Sequence, residues 1–316
     1  MGALGIPTGE GGEAAPVAAP PPKPSSSSLS KEPRAFESED SATSEFGDFD
    51  GYFRADVQDE EGKISVRNFE GLSGMRTLAM TELMTLVMPA KYNYIFENRD
   101  MDGMYTSRLE LIGALKDYQS ATGKMFDFIS QTESGAPVDL YYQKLEPPYQ
   151  PKLAPYDTLE ELRMARGVGD EFFGLFGDRL TIYPVSKINL ASADDLMIAA
   201  LVCGFIKDKN HPFCTDTTWS TQRTVLERFR QFKQLKAASN IFYTASLADI
   251  REFFTSEGIL LNDSMFGLGK IEDSVTDSSS FFTIRAEGRA GNVTKHITAV
   301  VYTGGGAGDI LYWRED

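Results

Sequence analysis

Few residues of this chain have the types and spacing that catalysis needs. The two histidines are His211, in a polar loop, and His296, at the start of a predicted strand, and neither has an evident nucleophile partner. The serines and aspartates form no nucleophile-elbow pattern. The glycine-rich segment 304–308 lies between two predicted strands, whereas phosphate-binding and dinucleotide-binding loops precede a helix. The sequence therefore favours a non-enzymatic protein and leaves a secreted hydrolase with an unrecognised site as an alternative.

A glycine turn between two short predicted helices is the next feature that could bind a ligand. Thr158 and Glu161 have the spacing of a capping box at the start of the first helix. Gly167 and Gly169 follow, and glycine permits the positive φ angles and close backbone approach of a tight turn. Residues 172–176 supply the apolar face of the second helix. This helix-hairpin-helix-like (SAM-like) unit offers backbone N–H groups to phosphates, so nucleic-acid binding is the second interpretation.

The charge of the chain opposes nucleic-acid binding. It has 31 Lys plus Arg against 46 Asp plus Glu, a formal net charge of −15. Affinity for nucleic acids depends on basic groups that neutralise phosphates, and the acidic Asp170 and Glu171 lie beside the glycine turn itself. The hairpin is therefore predicted to be structural.

The first part of the chain has the composition of a disordered tail. Residues 1–50 hold nine acidic and three basic residues, a proline-rich run at 20–24 and four consecutive serines at 25–28. Such a segment buries too little apolar area to offset its ordering entropy. We assign residues 1–55 to this tail.

The remaining 261 residues predict an α+β fold. Apolar residues at helical spacing predict helices over 75–87, 109–118 and 194–206, and Pro89 ends the first. Alternating patterns predict strands over 62–68, 281–286, 296–302 and 309–313. The sequence therefore predicts a small antiparallel pilin-like sheet, from residues 56–72 and 263–316, with a large helical domain inserted at 73–262.

Basic residues concentrate on one predicted helix of the inserted domain, at Arg223, Arg228, Arg230, Lys233 and Lys236. A solvated helix face is the favoured explanation. A docking surface for an acidic partner is the alternative.

Several motifs occur in an order that resembles one known family. They are a Tyr141-Tyr142 pair, a Pro147-Pro148-Tyr149 loop, a Leu-Glu-Glu-Leu segment at 159–162, an Arg166-Gly167 hairpin, an Ile188-Asn189 to Ser192 turn, and the ending 310–315. Over about residues 59–316 the chain resembles general secretion pathway protein K, the large minor pseudopilin of type II secretion. Each motif alone is weak evidence for this family, but their combination in this order is specific.

The resemblance implies a role and a location. It implies a non-enzymatic subunit at the tip of the pseudopilus, on the periplasmic face of the bacterial inner membrane, that binds other minor pseudopilins, helps initiate the fibre and supports protein secretion. Nucleic acid is not an expected partner. Pseudopilins begin with a leader and a hydrophobic helix of about twenty residues, the length that crosses a bilayer. The longest apolar run here, 196–206, is too short, so membrane association is expected only through an N-terminal helix absent from this chain.

The resemblance also implies candidate site residues. The family binds calcium near an acidic segment, and the acids at the matching places and nearby are Asp117, Asp127 and Asp139. Calcium takes six to eight oxygen ligands, commonly from several carboxylates. Only these acids occur at or near the matching places, so an absent site is as well supported as an occupied one. In a periplasmic domain Cys203 and Cys214 are expected to form a disulfide, with buried thiols as the alternative. Gly167, Gly169 and Asn189 are interpreted as structural motif residues.

We expect limited proteolysis of the purified chain to cut first within residues 1 to about 50, because an unstructured backbone enters a protease site without unfolding the core. Mass spectrometry of the earliest fragments measures the cleavage positions. A tail that resists the protease for as long as the rest of the chain would contradict the assignment.

Overall fold

The computed structural model describes residues 51–100, 103–265, 269–306 and 308–316, and these belong to a compact unit comprising residues 42–316. The predicted tail lies outside the described residues as far as residue 50. The domain boundaries at 72/73 and 262/263 stay predictions. Within the described residues, no helix combines the length and the apolar character needed to cross a membrane.

The described residues form both strands and helices. The strands are β1 (Gly51–Asp59), β2 (Ile64–Ser65), β3 (Lys124–Asp127), β4 (Thr132–Pro137), β5 (Leu180–Thr181), β6 (Ile188–Asn189), β7 (Ser264–Met265), β8 (Gly269–Lys270), β9 (Val275–Thr276), β10 (Phe281–Ala290), β11 (Val293–Tyr302) and β12 (Asp309–Glu315).

The helices lie between β2 and β9. They are α1 (Ser73–Val87), α2 (Asn93–Phe96), α3 (Arg108–Gln119), α4 (Asp139–Tyr142), α5 (Asp170–Phe176), α6 (Asp195–Phe205), α7 (Pro212–Thr215), α8 (Ser220–Ser239), α9 (Leu247–Ser256) and α10 (Ile271–Ser274). Short 3-10 helices occupy Val66–Glu70, Ala90–Tyr92, Leu159–Met164 and Gly177–Arg179.

The largest sheet is antiparallel, with strand order β1-β10-β11-β12. Its first strand pairs with β10 so that Val57 lies opposite Ile284, although more than 200 residues separate them. Gly291, at φ +58°, makes the tight connection between β10 and β11. The helical part of the chain therefore lies between the first and the second strand of this sheet, which confirms the predicted α+β class.

The first strand of the sheet differs from the sequence-based prediction. Residues 62–68 form the two-residue strand β2 and part of a 3-10 helix, and β1 begins at Gly51, inside the segment assigned to the tail. Ile64, Ser65 and Val66 are all buried, because this segment enters the core of the helical part and has no solvent face. The predicted helices and C-terminal strands are confirmed, and Pro89 follows directly after the C-cap of α1.

The main hydrophobic core lies within the helical part. Helix α6 packs against α1, and its residues from Leu196 to Val202 are all buried. Aromatic rings fill the space between α7, α8 and α9, where Phe229 lies 5.1 Å from Phe253 and 5.4 Å from Phe254 between ring centroids. Among the described residues, no side chain of the four-stranded sheet belongs to this core. The sheet must therefore be held to the helical part by other contacts.

The glycine hairpin joins the 3-10 helix Leu159–Met164 to α5. The predicted capping box is wrong, because the Thr158 side chain makes no cap hydrogen bond. The Glu161 carboxylate instead accepts hydrogen bonds from the Asp157 N–H (3.0 Å) and the Lys152 ammonium (2.7 Å). The SAM-like character of the unit stays a prediction.

The two hairpin glycines have different roles. Gly167 has φ +83°, and a Cβ added there would lie 2.7 Å from Thr106 Cγ2. Gly169 has φ −77° and lies at the N-cap of α5, with open space around an added Cβ. Only Gly167 needs the conformational and spatial freedom of glycine.

We expect Gly167→Ala to lower the free energy of unfolding by about 2 kcal/mol, because a methyl group at positive φ is strained and also clashes with Thr106. Gly169→Ala is the matched control, and we expect it to cost less than about 1 kcal/mol, the size of an N-cap preference. Urea denaturation followed by circular dichroism measures both. Equal losses for the two variants would contradict the assigned roles.

Candidate partner-binding surface

One face of the four-stranded sheet is apolar on every strand. The register places Ile284 of β10 between Val57 of β1 and Ala299 of β11, and Trp313 of β12 lies opposite Ala299. Because residues directly opposite each other in a sheet share a face, these side chains line one surface. We call it the apolar sheet face, and its apolar part comprises Ala55, Val57, Phe282, Ile284, Ala286, Gly288, Ile297, Ala299, Val301, Ile310 and Trp313. Charged residues bound it at both ends, with Asp59 at one end and the Lys295–Glu315 ion pair (2.8 Å) at the other.

Much of the apolar sheet face is accessible to solvent. Val57 is 58% exposed, Ile310 62% and Trp313 55%. In the described part of the chain, no helix packs along this face. A contiguous apolar surface with large exposed side chains is typical of a protein–protein contact.

The opposite face of the same sheet is polar. Tyr52 donates a hydrogen bond to Glu287 (2.8 Å), and Arg285 donates one to Gln58 (3.0 Å). An antiparallel sheet that is solvated on one side shows this alternation. The exposed part of the polar face therefore suits water, although Thr283 and Val300 on the same face are buried. The apolar sheet face, in contrast, leaves its large side chains exposed.

Asn189 connects the end of β1 to the helical part. Its Nδ2 donates hydrogen bonds to Ser279 Oγ (2.7 Å) and Asp59 Oδ2 (3.1 Å), and Ser279 Oγ donates to the same Asp59 oxygen (2.6 Å). The Asn189 N–H donates to the Glu61 carbonyl (2.6 Å), and Oδ1 accepts from the Ala191 N–H (2.9 Å). We call Asp59, Asn189 and Ser279 the junction triad.

Two buried carboxylates continue the junction. Burial opposes ionisation of Glu60, but Lys63 and hydrogen bonds from Thr181 and Thr283 outweigh it, so the pKa of Glu60 is lowered. Both Lys63 Nζ (2.8 Å) and Thr283 Oγ1 (2.7 Å) donate to Glu60 Oε1. Burial raises the pKa of the neighbouring Glu61, whose carboxylate accepts the Ser280 N–H (2.9 Å). Charged and polar groups from both parts of the fold thus meet at one buried place.

Sequence analysis identified Asn189 of the junction triad but missed Asp59 and Ser279. Asp59 and Ser279 are 130 and 90 residues away from Asn189 in the sequence, and no local sequence pattern indicates that they contact it. It also missed β1, although Phe53, Ala55 and Val57 alternate there with polar residues. That alternation was a usable signal for a strand.

The surface around the glycine hairpin is acidic. Arg163 pairs with Asp170 and lies over the Phe173 ring, and the Arg166 guanidinium is 4.0 Å from the Glu110 carboxylate. These arginines face carboxylates of the same chain, so this surface does not favour nucleic-acid phosphates.

Basic residues of α8 also pair within the chain. Arg228 contacts Glu257 (3.1 Å), and Lys236 contacts Asp249 (3.0 Å) and Glu252 (2.8 Å). Arg230 pairs with Asp195 and Glu227. These internal ion pairs support a solvated structural face over a docking surface for an acidic partner.

The three candidate calcium ligands do not converge. Both Asp117 oxygens accept the Phe126 N–H (2.9 and 3.1 Å), Asp127 accepts the Ser130 N–H (2.6 Å), and Asp139 accepts from Gln143 (2.6 Å). Burial raises the pKa of Asp117 to about 7. Among the described residues, no three His, Cys, Asp or Glu side chains group as metal ligands. The three aspartates are therefore not brought together as one set of ligands in the described residues. Calcium binding there stays a prediction.

Cys203 and Cys214 form a disulfide with a Cα–Cα distance of 5.6 Å. The bridge joins the C-terminal part of α6 to α7 at a sequence separation of 11. It fixes the short helix α7 against the core, where Phe213 is fully buried.

We expect Asn189→Ala to lower the free energy of unfolding by about 2–4 kcal/mol, because it removes the three hydrogen bonds of the Asn189 side chain and leaves partly buried polar groups with fewer partners. Asn210→Ala is the matched control, since Asn210 is exposed and hydrogen-bonds through its backbone N–H and carbonyl. Chemical denaturation, with hydrogen exchange of the β1 amides, measures both variants. A loss for Asn189→Ala no larger than that of the control would contradict the role of the junction triad.

No family model and no curated protein sequence matches the chain. Among solved structures, the chain is similar to a chain in the crystal structure of the GspK-GspI-GspJ complex from the type 2 secretion system of enterotoxigenic Escherichia coli. The similarity covers 84% of this chain and 80% of the other, with 12% sequence identity and a TM-score of 0.49. No correspondence between individual residues follows from so low an identity.

Proposed function

We propose that this chain is a minor pseudopilin of type II secretion, a non-enzymatic subunit at the tip of the pseudopilus that assembles with other minor pseudopilins. The observation that carries the proposal is the apolar sheet face, on a sheet whose first strand and last three strands enclose the helical part. The ordered motifs from Tyr141 to Ser192 and at the C-terminus support the same family.

The apolar sheet face is the proposed contact with the other minor pseudopilins. On this face the exposed Trp313 lies opposite the small Ala299 of β11, and the exposed Val57 lies opposite Ile284 of β10, so the surface combines large exposed side chains with small ones. Burial of large apolar and aromatic side chains is the main source of affinity in such contacts. In the described residues no helix packs beside the sheet, so the sheet itself and not a helix next to it is the proposed assembly surface.

The disulfide is consistent with a periplasmic location, because disulfides persist in oxidising compartments. The formal charge of −15 and the internally paired hairpin arginines support a protein partner over a nucleic acid.

Size-exclusion chromatography with light scattering, on the purified chain mixed with its cognate minor pseudopilins, tests the proposal. We expect a complex at concentrations of about tens of micromolar, the range of weak specific binding. Trp313→Asp should weaken the complex about tenfold or more, because it places a charge in an apolar contact. Thr294→Asp adds the same charge at an exposed position on the polar face and should leave binding unchanged.

Two outcomes would contradict the proposal. One is the absence of any complex together with tight DNA binding at physiological salt, which would favour the helix-hairpin-helix alternative. The other is a complex that Thr294→Asp and Trp313→Asp weaken equally, which would place the contact elsewhere.

A further inference from the structure

Lys116, on α3, is one of the most deeply buried polar side chains in the described part of the chain. Its side chain is 1% exposed. The ammonium lies 2.9 Å from Glu70 Oε1, 3.4 Å from Ser120 Oγ and 3.5 Å from Glu133 Oε1. A lysine ammonium has three N–H donors, so each has an oxygen within reach.

The surroundings of Lys116 are rich in negative charge. Glu70 and Glu133 place two carboxylates against a single ammonium, and the neighbouring Asp117, whose pKa burial raises to about 7, lies near enough to interact with it electrostatically. The Phe126 ring, 4.9 Å from Nζ, adds a cation–π contact. We call Lys116, Glu70, Asp117, Ser120 and Glu133 the lysine-centred cluster. A charge so buried is tolerated only when opposite charges and hydrogen bonds compensate its desolvation.

The lysine-centred cluster joins three segments of the helical part. Glu70 ends the 3-10 helix Val66–Glu70, Lys116 and Asp117 belong to α3, and Glu133 belongs to β4. Thr122 Oγ1 donates a further hydrogen bond to Glu133 Oε1 (3.0 Å). One positive charge therefore holds carboxylates from separate elements together, which is the structural role that bound metal ions have in other proteins.

We propose that the Lys116 ammonium is a built-in cation that neutralises this acidic cluster, so that the helical part keeps its structure there without a divalent metal ion. The donor set supports this, since the Asp117 oxygens accept the Phe126 N–H and Glu133 Oε1 faces both Lys116 and Thr122. The inference goes beyond the proposed function and is independent of it.

Thermal unfolding of the full chain in EDTA and in millimolar calcium chloride tests the inference. We expect the same Tm for the unmodified chain in both solutions. Lys116→Met removes the cation at similar side-chain length, and we expect its Tm in EDTA to fall by on the order of 10 °C. Calcium should then raise the Tm of this variant by a few degrees, because the Glu70 and Glu133 carboxylates without their counter-ion attract a divalent cation.

Two further variants keep the test decisive. Lys124→Met, at an exposed lysine of β3, is the matched control and should change neither the Tm nor its response to calcium. Lys116→Met combined with Glu133→Gln removes one of the repelling charges, so it should be more stable in EDTA than Lys116→Met and respond less to calcium. If Lys116→Met alone does not fold, the double variant and the unmodified chain carry the test.

The inference is overturned if the unmodified chain loses several degrees of Tm in EDTA. It is equally overturned if Lys116→Met matches Lys124→Met in EDTA, or if the double variant is no more stable there than Lys116→Met.

Discussion

The four-stranded sheet depends on a polar attachment, because no side chain of its described strands reaches the main hydrophobic core. The attachment is the junction triad of Asp59, Asn189 and Ser279, with the buried carboxylate of Glu60 beside it. Gly62 adds a close approach, since a Cβ there would lie 3.0 Å from three atoms of Ser192. The position of the sheet relative to the helical part therefore rests on directional hydrogen bonds at one end of β1 and β10.

A polar attachment leaves the rest of the sheet available for contacts. If the sheet packed its apolar face on the helical part, Val57, Ile310 and Trp313 would be buried there and no apolar surface would remain for a partner. An antiparallel sheet with one apolar face gains stability when that face is covered. The fold thus has two distinct parts, a helical part that contains the main hydrophobic core and a sheet that keeps an apolar surface exposed.

The sequence predicted the elements whose signals are local. Alternation in 281–286 and 296–302 identified β10 and β11, and helical spacing with Pro89 identified α1 and its end. The capping-box prediction failed because other nearby groups compete for the same carboxylate. Glu161 has the right spacing for a capping box with Thr158, but the Asp157 N–H and the Lys152 ammonium bind its carboxylate instead.

The residues of the candidate site were recognised only in part, because their partners are far apart in the sequence. Asn189 stood out through its motif, whereas Asp59 is 130 positions away and is set beside it by the pairing of β1 with β10. The apolar sheet face required knowledge of that register, since Ala299 and Trp313 share a face only once β11 and β12 pair.

The junction also explains why buried polar groups lie where apolar ones would pack more simply. Apolar contacts are non-directional, so a junction made of apolar side chains would leave the angle between the sheet and the helical part weakly specified. At the junction, Asn189 must donate to both Asp59 and Ser279 while Glu60 accepts from Thr181 and Thr283, and few orientations satisfy all of these bonds together. A subunit whose sheet face contacts a partner needs that face at a fixed angle to the helical part, and a fully hydrogen-bonded junction supplies the angle.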